Sequence, residues 1–245
     1  IHGEAARLAR LHDAIWQRFR HGDRVLYLGN MIGRGAAICE TIDELLDFRR
    51  AILARPGGFA CDVVYLRGSQ EVMWQKLLQL QFTPSPADAL TWMMQRGVDA
   101  TLAAYGGEAE AGLRAARAGT VALTRWTGGI RQAMHRHPGH TELLGRLHSA
   151  AYSHPQGVLF VNAGLDPAQP LAAQEDLFWW HGAGFAELDA PYGGFQRVVR
   201  GFDPRLRGYE EQPHKITLDA GAGFGGPVCA GCFAPDGELL ERLEA

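Results

Sequence analysis

Apolar residues recur at helical spacing at Leu8, Leu11, Ile15 and Phe19, the one-face pattern of a 3.6-residue period. The segment RVLYL (24–28) that follows is a continuous apolar run of strand length. Ile38, Ile42, Leu45, Leu46 and Leu53 mark a second helix, closed by RPGG (55–58), and DVVYL (62–66) is a second buried strand. Two helix–strand units in succession predict a layered architecture. Both strands run into glycine-bounded turns, GNMIGRG (29–35) and RGSQE (67–71), and strand ends are where sites in such sheets lie.

From 71 to about 150 strand signals are missing and Ala, Leu, Met, Trp and Arg dominate, which predicts a helical insertion. Within it Ser85 is placed to cap a helix whose first turn holds Pro86. Beyond it the pattern predicts a strand at 157–164, an amphipathic helix near 171–180 and strands around 196–200, 215–219 and 227–233. The tail DGELLERLEA reads as a hairpin turn or a short helix. With 245 residues, 47% of them apolar, one domain over 1–245 can bury its own core.

Charge narrows the partners. A formal net charge of −3, from 24 basic and 27 acidic residues without long runs, gives no electrostatic reason for nucleic acid or an acidic membrane surface as partner. Four cysteines in a chain of this length form no disulfide framework, and the expected location is the reducing cytoplasm. No apolar run reaches the length of a membrane span, and no signal-peptide pattern opens the sequence. The numbering starts at Ile1 inside a motif, so roughly five to ten upstream residues are expected, forming a strand beside 24–28.

Six turns carry the candidate chemistry: IHG (1–3), GNMIGRG (29–35), RGSQE (67–71), VNAGLDP (161–167), VRGFDP (199–204) and TLDAGAGFGG (217–226). In order and spacing they resemble the GDIHG, GDxxDRG, RGNHE, HAGxxP, HGHTP and IDTGA blocks of the calcineurin-like metallophosphoesterases, specifically the bacterial serine/threonine protein phosphatase branch. The resemblance runs through the whole chain. It implies an α+β fold of four layers (αββα), a two-sheet β-sandwich flanked by helices, with the segment at about 71–150 as an insertion.

The resemblance also implies which positions would hold two catalytic metals, and most of them are changed. His2 is the one matching ligand. Asn30 stands at the bridging aspartate, Ser69 at the asparagine, and Asn162 and Phe202 at the two later histidines. A dinuclear site clamps two cations around a bridging oxygen; a neutral amide is a poor bridge and a phenyl ring is no ligand. Gly33 and Gln70 replace the aspartate–histidine pair that protonates the leaving group, and an amide is no general acid near neutral pH. No stable metal centre and no catalytic residue is therefore expected.

Arg34 and Arg67 do match, at the positions that hold substrate phosphate in the family, where a planar, permanently charged fork suits the task. Their guanidinium groups are expected to converge on an anion. The principal expectation is a catalytically inactive, phosphatase-like protein that binds a phosphorylated protein or a small anion, or serves as a protein-interaction module. The rival is an active phosphoesterase with a reorganised or mononuclear site holding a weakly bound divalent metal such as manganese, built on His2, the aspartate that the resemblance places upstream of Ile1, and Asp203. A third reading makes the protein a structural subunit, with the arginines neutralised by carboxylates such as Glu71 or Asp166. Three further motifs have plainer explanations. HRHPGHTELL (135–144) reads as an exposed loop entering a helix, CAGC (229–232) as structural thiols on a strand, and FWW (178–180) as core packing.

Overall fold

The computed structural model describes residues 1–154, 157–180 and 182–245. Helix α1 (Ala5–Trp16) leads to strand β1 (Val25–Tyr27), and helix α2 (Ile38–Leu53) leads to β2 (Val63–Tyr65). The strands pair in parallel, with Val25, Leu26 and Tyr27 opposite Val63, Val64 and Tyr65, a pairing that requires a crossover such as α2. α2 buries Ile38, Ile42, Leu45 and Ile52 on one face, as its spacing dictates. α1 stops at Trp16, so Phe19 is buried from the turn behind it rather than from the helix itself.

Helices then occupy most of the span to residue 145: α3 (Ser69–Leu78), α4 (Pro86–Met93), α5 (Asp99–Ala104), α6 (Ala109–Arg117), α7 (Thr120–His135) and α8 (His140–Gly145). Trp74, Leu90, Leu102, Ile130 and Leu144 from these helices share one hydrophobic core with Ile42 and Leu45 of α2. The helical segment is thus bonded to the first layer by packing. Ser85 occupies the N-cap of α4 but makes no side-chain cap bond; Pro86 in the first turn sets that helix start instead. Between α4 and α5 the chain makes a π-helical turn, Met94–Val98, in which Gly97 has φ 95°.

The second sheet has the order β3-β4-β5-β7-β6, from β3 (Ala151–Tyr152), β4 (Val158–Val161), β5 (Arg197–Arg200), β6 (Glu210–Glu211) and β7 (Lys215–Thr217). Its three central strands are parallel and its two edges antiparallel. The edge strands, two residues each, are too short to leave a period in the sequence. A continuous helix at 171–180 does not form: a 3-10 turn at Leu171–Ala173 is separated from helix α9 (Leu177–Trp180). Gln174, fully buried, spends its side chain on Asp166, Gln169 and Tyr192, and Glu175 takes φ 40°. The tail is a strand, β9 (Leu239–Glu244), paired antiparallel with β8 (Cys229–Phe233). No helix of the described residues is long and apolar enough to cross a membrane.

Candidate functional site

The turns after β1 and β2 are held against each other by one carboxylate. Glu71, in the first turn of α3 and 1% exposed, accepts the backbone N–H groups of Asn30 (2.9 Å), Met31 (2.7 Å), Ile32 (3.2 Å) and Gly68 (2.9 Å). Burial raises this carboxyl above its ordinary range, against the four donors that stabilise its charge. The turn it organises is wound tightly: Asn30 and Arg34 both have positive φ, 50° and 63°. His2 lies alongside, also at positive φ (54°), its N–H donating to Asn30 O (2.8 Å) and its carbonyl accepting from Gly35 N–H (2.7 Å).

The ligand-equivalent positions gather here, but their polar atoms are turned to local structure. Asn30 Oδ1 accepts from Ser69 Oγ (3.3 Å) and Gln70 N–H (3.1 Å). Asn162, fully buried, donates Nδ2 to Leu28 O (2.6 Å). Phe202 and Phe224 each present a T-shaped contact to the His2 ring at 5.9 Å. Neither ring nitrogen of His2 has a well-formed hydrogen bond among the described residues. Burial, with the Arg34 charge adding to it, holds the imidazole well below its ordinary value. One neutral imidazole among amides, a hydroxyl and phenyl rings contains no bridging anion. This donor set does not fit the two-metal centre of the resembling family.

At the positions of the acid pair, a side chain occupies the space. Gly33 has φ 86°, and a Cβ there would lie 2.5 Å from Gln70 Cδ and closer still to its Oε1. Gln70 Nε2 donates to Arg96 O (2.8 Å). Gly33 N–H donates to Thr101 Oγ1 (3.0 Å) of α5. The two replacements are thus sterically matched to each other.

Arg34 and Arg67 extend from these touching turns. Arg34 is exposed, its guanidinium 4.2 Å from the Phe224 ring centre, and its N–H donates to Gly97 O (2.9 Å). Burial lowers its pKa while Asp99 raises it. Arg67 is half-buried, 5.5 Å from the Trp179 ring centre, with Nε buried and without a partner among the described residues. No salt bridge of either arginine occurs among the described residues. Glu71 is taken up by backbone donors, and Asp166 accepts from Ala168 N–H and Gln169 Nε2, each at 2.9 Å. Among the described residues neither carboxylate forms the salt bridge with either arginine that the structural-subunit reading requires.

Asp203, the shifted ligand of the mononuclear reading, is 1% exposed and committed elsewhere. Its Oδ2 meets Arg200 Nη2 (3.1 Å) and Arg207 Nε (2.7 Å), and its Oδ1 accepts Arg205 N–H (3.1 Å). Burial alone would raise this carboxyl; the hydrogen bonds from Arg207 and Arg205 and the Arg200 charge outweigh it and hold it below its ordinary value. Two other expectations need correction. His140 is fully buried rather than exposed on a loop. Of the FWW segment, Phe178 and Trp179 are buried but Trp180 is 38% exposed, its ring 6.0 Å from that of Trp92. Phe224 had its signal in the glycine-rich TLDAGAGFGG block, and Trp179 in FWW, but neither pattern indicates an arginine above the ring.

No family model matches the chain, and no curated protein matches it. Solved structures do. One is described as a candidate diadenosine tetraphosphatase, with TM-score 0.59 and 20% identity, over 100% of this chain and 90% of that one. Another is a protein serine/threonine phosphatase from Saccharomyces cerevisiae with similarity to human phosphatase PP5, with TM-score 0.52 and 14% identity, over 100% of this chain and 77% of that one. At these identities the likeness is one of fold, shared with these two phosphatase structures.

Proposed function

We propose that the chain is a catalytically inactive, phosphatase-like protein that uses Arg34 and Arg67 to hold the phosphate of a phosphorylated protein or small anion. One observation carries this reading: two arginines on touching turns have no ionic partner among the described residues, and Arg67 keeps a buried Nε donor unpaired. An oxyanion satisfies that donor through charge-assisted hydrogen bonds. The neighbour described as a candidate diadenosine tetraphosphatase adds nucleotides to the anions worth testing, with the exposed rings of Trp92 and Trp180 available for stacking. In this reading residues 1–245 form one domain, the β1/β2 layer and the five-stranded sheet make the inner layers of an αββα sandwich, and the uncrosslinked cysteines suit the cytoplasm.

The ring of His2, without a well-formed hydrogen bond among the described residues, is the single feature that favours a mononuclear, manganese-dependent phosphoesterase instead. A thermal shift and a turnover assay separate the two. Phosphate at tenfold excess over a millimolar Kd stabilises by about 1.4 kcal/mol, a Tm rise of roughly 3–5 °C over chloride at equal ionic strength. The rise is expected to vanish in the double variant Arg34→Ala with Arg67→Ala, and its survival there would place the anion elsewhere. No hydrolysis of p-nitrophenyl phosphate is expected with or without manganese. Turnover that tracks added metal and disappears in His2→Ala would establish the rival.

A further inference from the structure

His137, in the turn after α7, and His140, the first residue of α8, have rings 4.9 Å apart and 31° from parallel. Cys39, in the first turn of α2, faces them from a distant part of the sequence. One donor atom from each of the three lies within 4.8 Å of the other two. His140 is fully buried; Cys39 and His137 are half-buried. His140 is held on both sides, Nδ1 to Tyr105 Oη at 2.7 Å and Nε2 to Asp43 Oδ1 at 3.1 Å. Cys39 Sγ sits 3.6 Å from Ala104 O, and the Tyr105 ring meets His137 edge-on at 5.5 Å. Nothing in the phosphate-facing turns uses these residues.

We propose that Cys39, His137 and His140 form a binding site for one divalent cation of the zinc class, clasping α2 to the α7–α8 turn. A thiolate with two imidazoles is a borderline-soft donor set that selects zinc over magnesium or calcium. Donor atoms on one tetrahedral zinc lie roughly 3.3–3.8 Å apart given its bond lengths. The three atoms therefore need to close by only about an ångström, a motion open to the side chains of Cys39 and His137. Binding replaces one of the two His140 hydrogen bonds and retains the other, which keeps the ring oriented as partners of metal-bound histidine do. The Cys39 proton is released to solvent as the sulfur–metal bond forms. The fourth position falls to water or to the Asp43 carboxylate, 56% exposed and able to turn.

The site is tested on the full chain, stripped with chelator and titrated first with cobalt(II) and then with zinc. Tetrahedral cobalt bands with a thiolate charge-transfer band should saturate at one equivalent and be displaced by zinc. Zinc should also raise the Tm. Cys39→Ser should remove the charge-transfer band and the Tm rise, and His137→Gln, at a half-buried position, should weaken cobalt binding by about tenfold or more. Absence of the charge-transfer band at one equivalent would overturn the proposal, as would its persistence in Cys39→Ser, which would assign the thiolate to Cys61, Cys229 or Cys232. If Cys39→Ser does not fold, the His137→Gln titration decides alone: unchanged affinity there refutes the site. None of these readouts depends on anion binding at Arg34 and Arg67.

Discussion

Replacing Gly33 tests whether it and Gln70 changed as a pair. Alanine at 33 keeps φ at 86° only at a left-handed cost of about 1–2 kcal/mol. Its Cβ also lands in the Gln70 amide, 2.5 Å from Cδ. That amide is the end of a flexible side chain, so it swings aside and gives up its bond to Arg96 O. Leaving those part-buried groups unpaired adds about 1–3 kcal/mol. Gly33→Ala should therefore destabilise by roughly 2–5 kcal/mol in the native background, the sum of the two effects. In a Gln70→Ala background the space is empty and the bond already gone, so only the left-handed cost of about 1–2 kcal/mol remains. Urea unfolding of the four proteins closes the cycle, with stability taken from midpoints at constant slope. A coupling of about 1–3 kcal/mol is expected, and additivity within about 0.5 kcal/mol would refute the steric pairing.

Three other perturbations follow from the same geometry. Glu71→Gln sets an amide N–H₂ against backbone donors and should cost about 3–5 kcal/mol in urea unfolding; a loss below about 1 kcal/mol would show that the carboxylate does not hold the turn. Asp203 is held below its ordinary pKa in the folded state, so its contribution to stability is complete above the unfolded carboxylate range and is lost as pH falls through the folded value. Asp203→Asn should accordingly flatten the acid limb of stability below about pH 5, and parallel curves for variant and native protein would contradict the arginine pairing. Asn30→Asp keeps an acceptor for Ser69 and Gln70 N–H and should fold, yet should hydrolyse no p-nitrophenyl phosphate with manganese, because the remaining ligands act as a unit; measurable turnover would show that one carboxylate suffices.

What could be read in advance was local and periodic. The β1 and β2 segments and the glycine turns follow from spacing a few residues long and are where the pattern put them; on α2, Ile38, Ile42 and Leu45 are buried as expected, while Leu46 and Leu53 are half-buried and Phe48 and Ile52 complete the face. What could not be read depended on partners distant in sequence. Asp203 looks like a spare ligand until Arg200 and Arg207 close on it, and a carboxylate near two arginines in sequence carries no sign of which way they turn. His140 was hidden for the same reason, since its hydrogen-bond partners, Tyr105 and Asp43, are distant in sequence. The apolar spacing of 171–180 was real, but Gln174 takes more hydrogen bonds by leaving the helix than by staying in it. Arg34 and Arg67 were identifiable by position, whereas the rings beneath them were not.

The stacking of Arg67 over Trp179 has an optical consequence. An indole responds to the electric field across its ring, and a guanidinium 5.5 Å from the ring centre is a strong local source of that field. Trp179 is 5% exposed, so solvent contributes little to its emission. An anion that recruits Arg67 changes the charge seen by this one chromophore. If the proposed anion site is at Arg67, the protein thus carries its own reporter of occupancy, and Trp179→Phe identifies which of the six tryptophans responds.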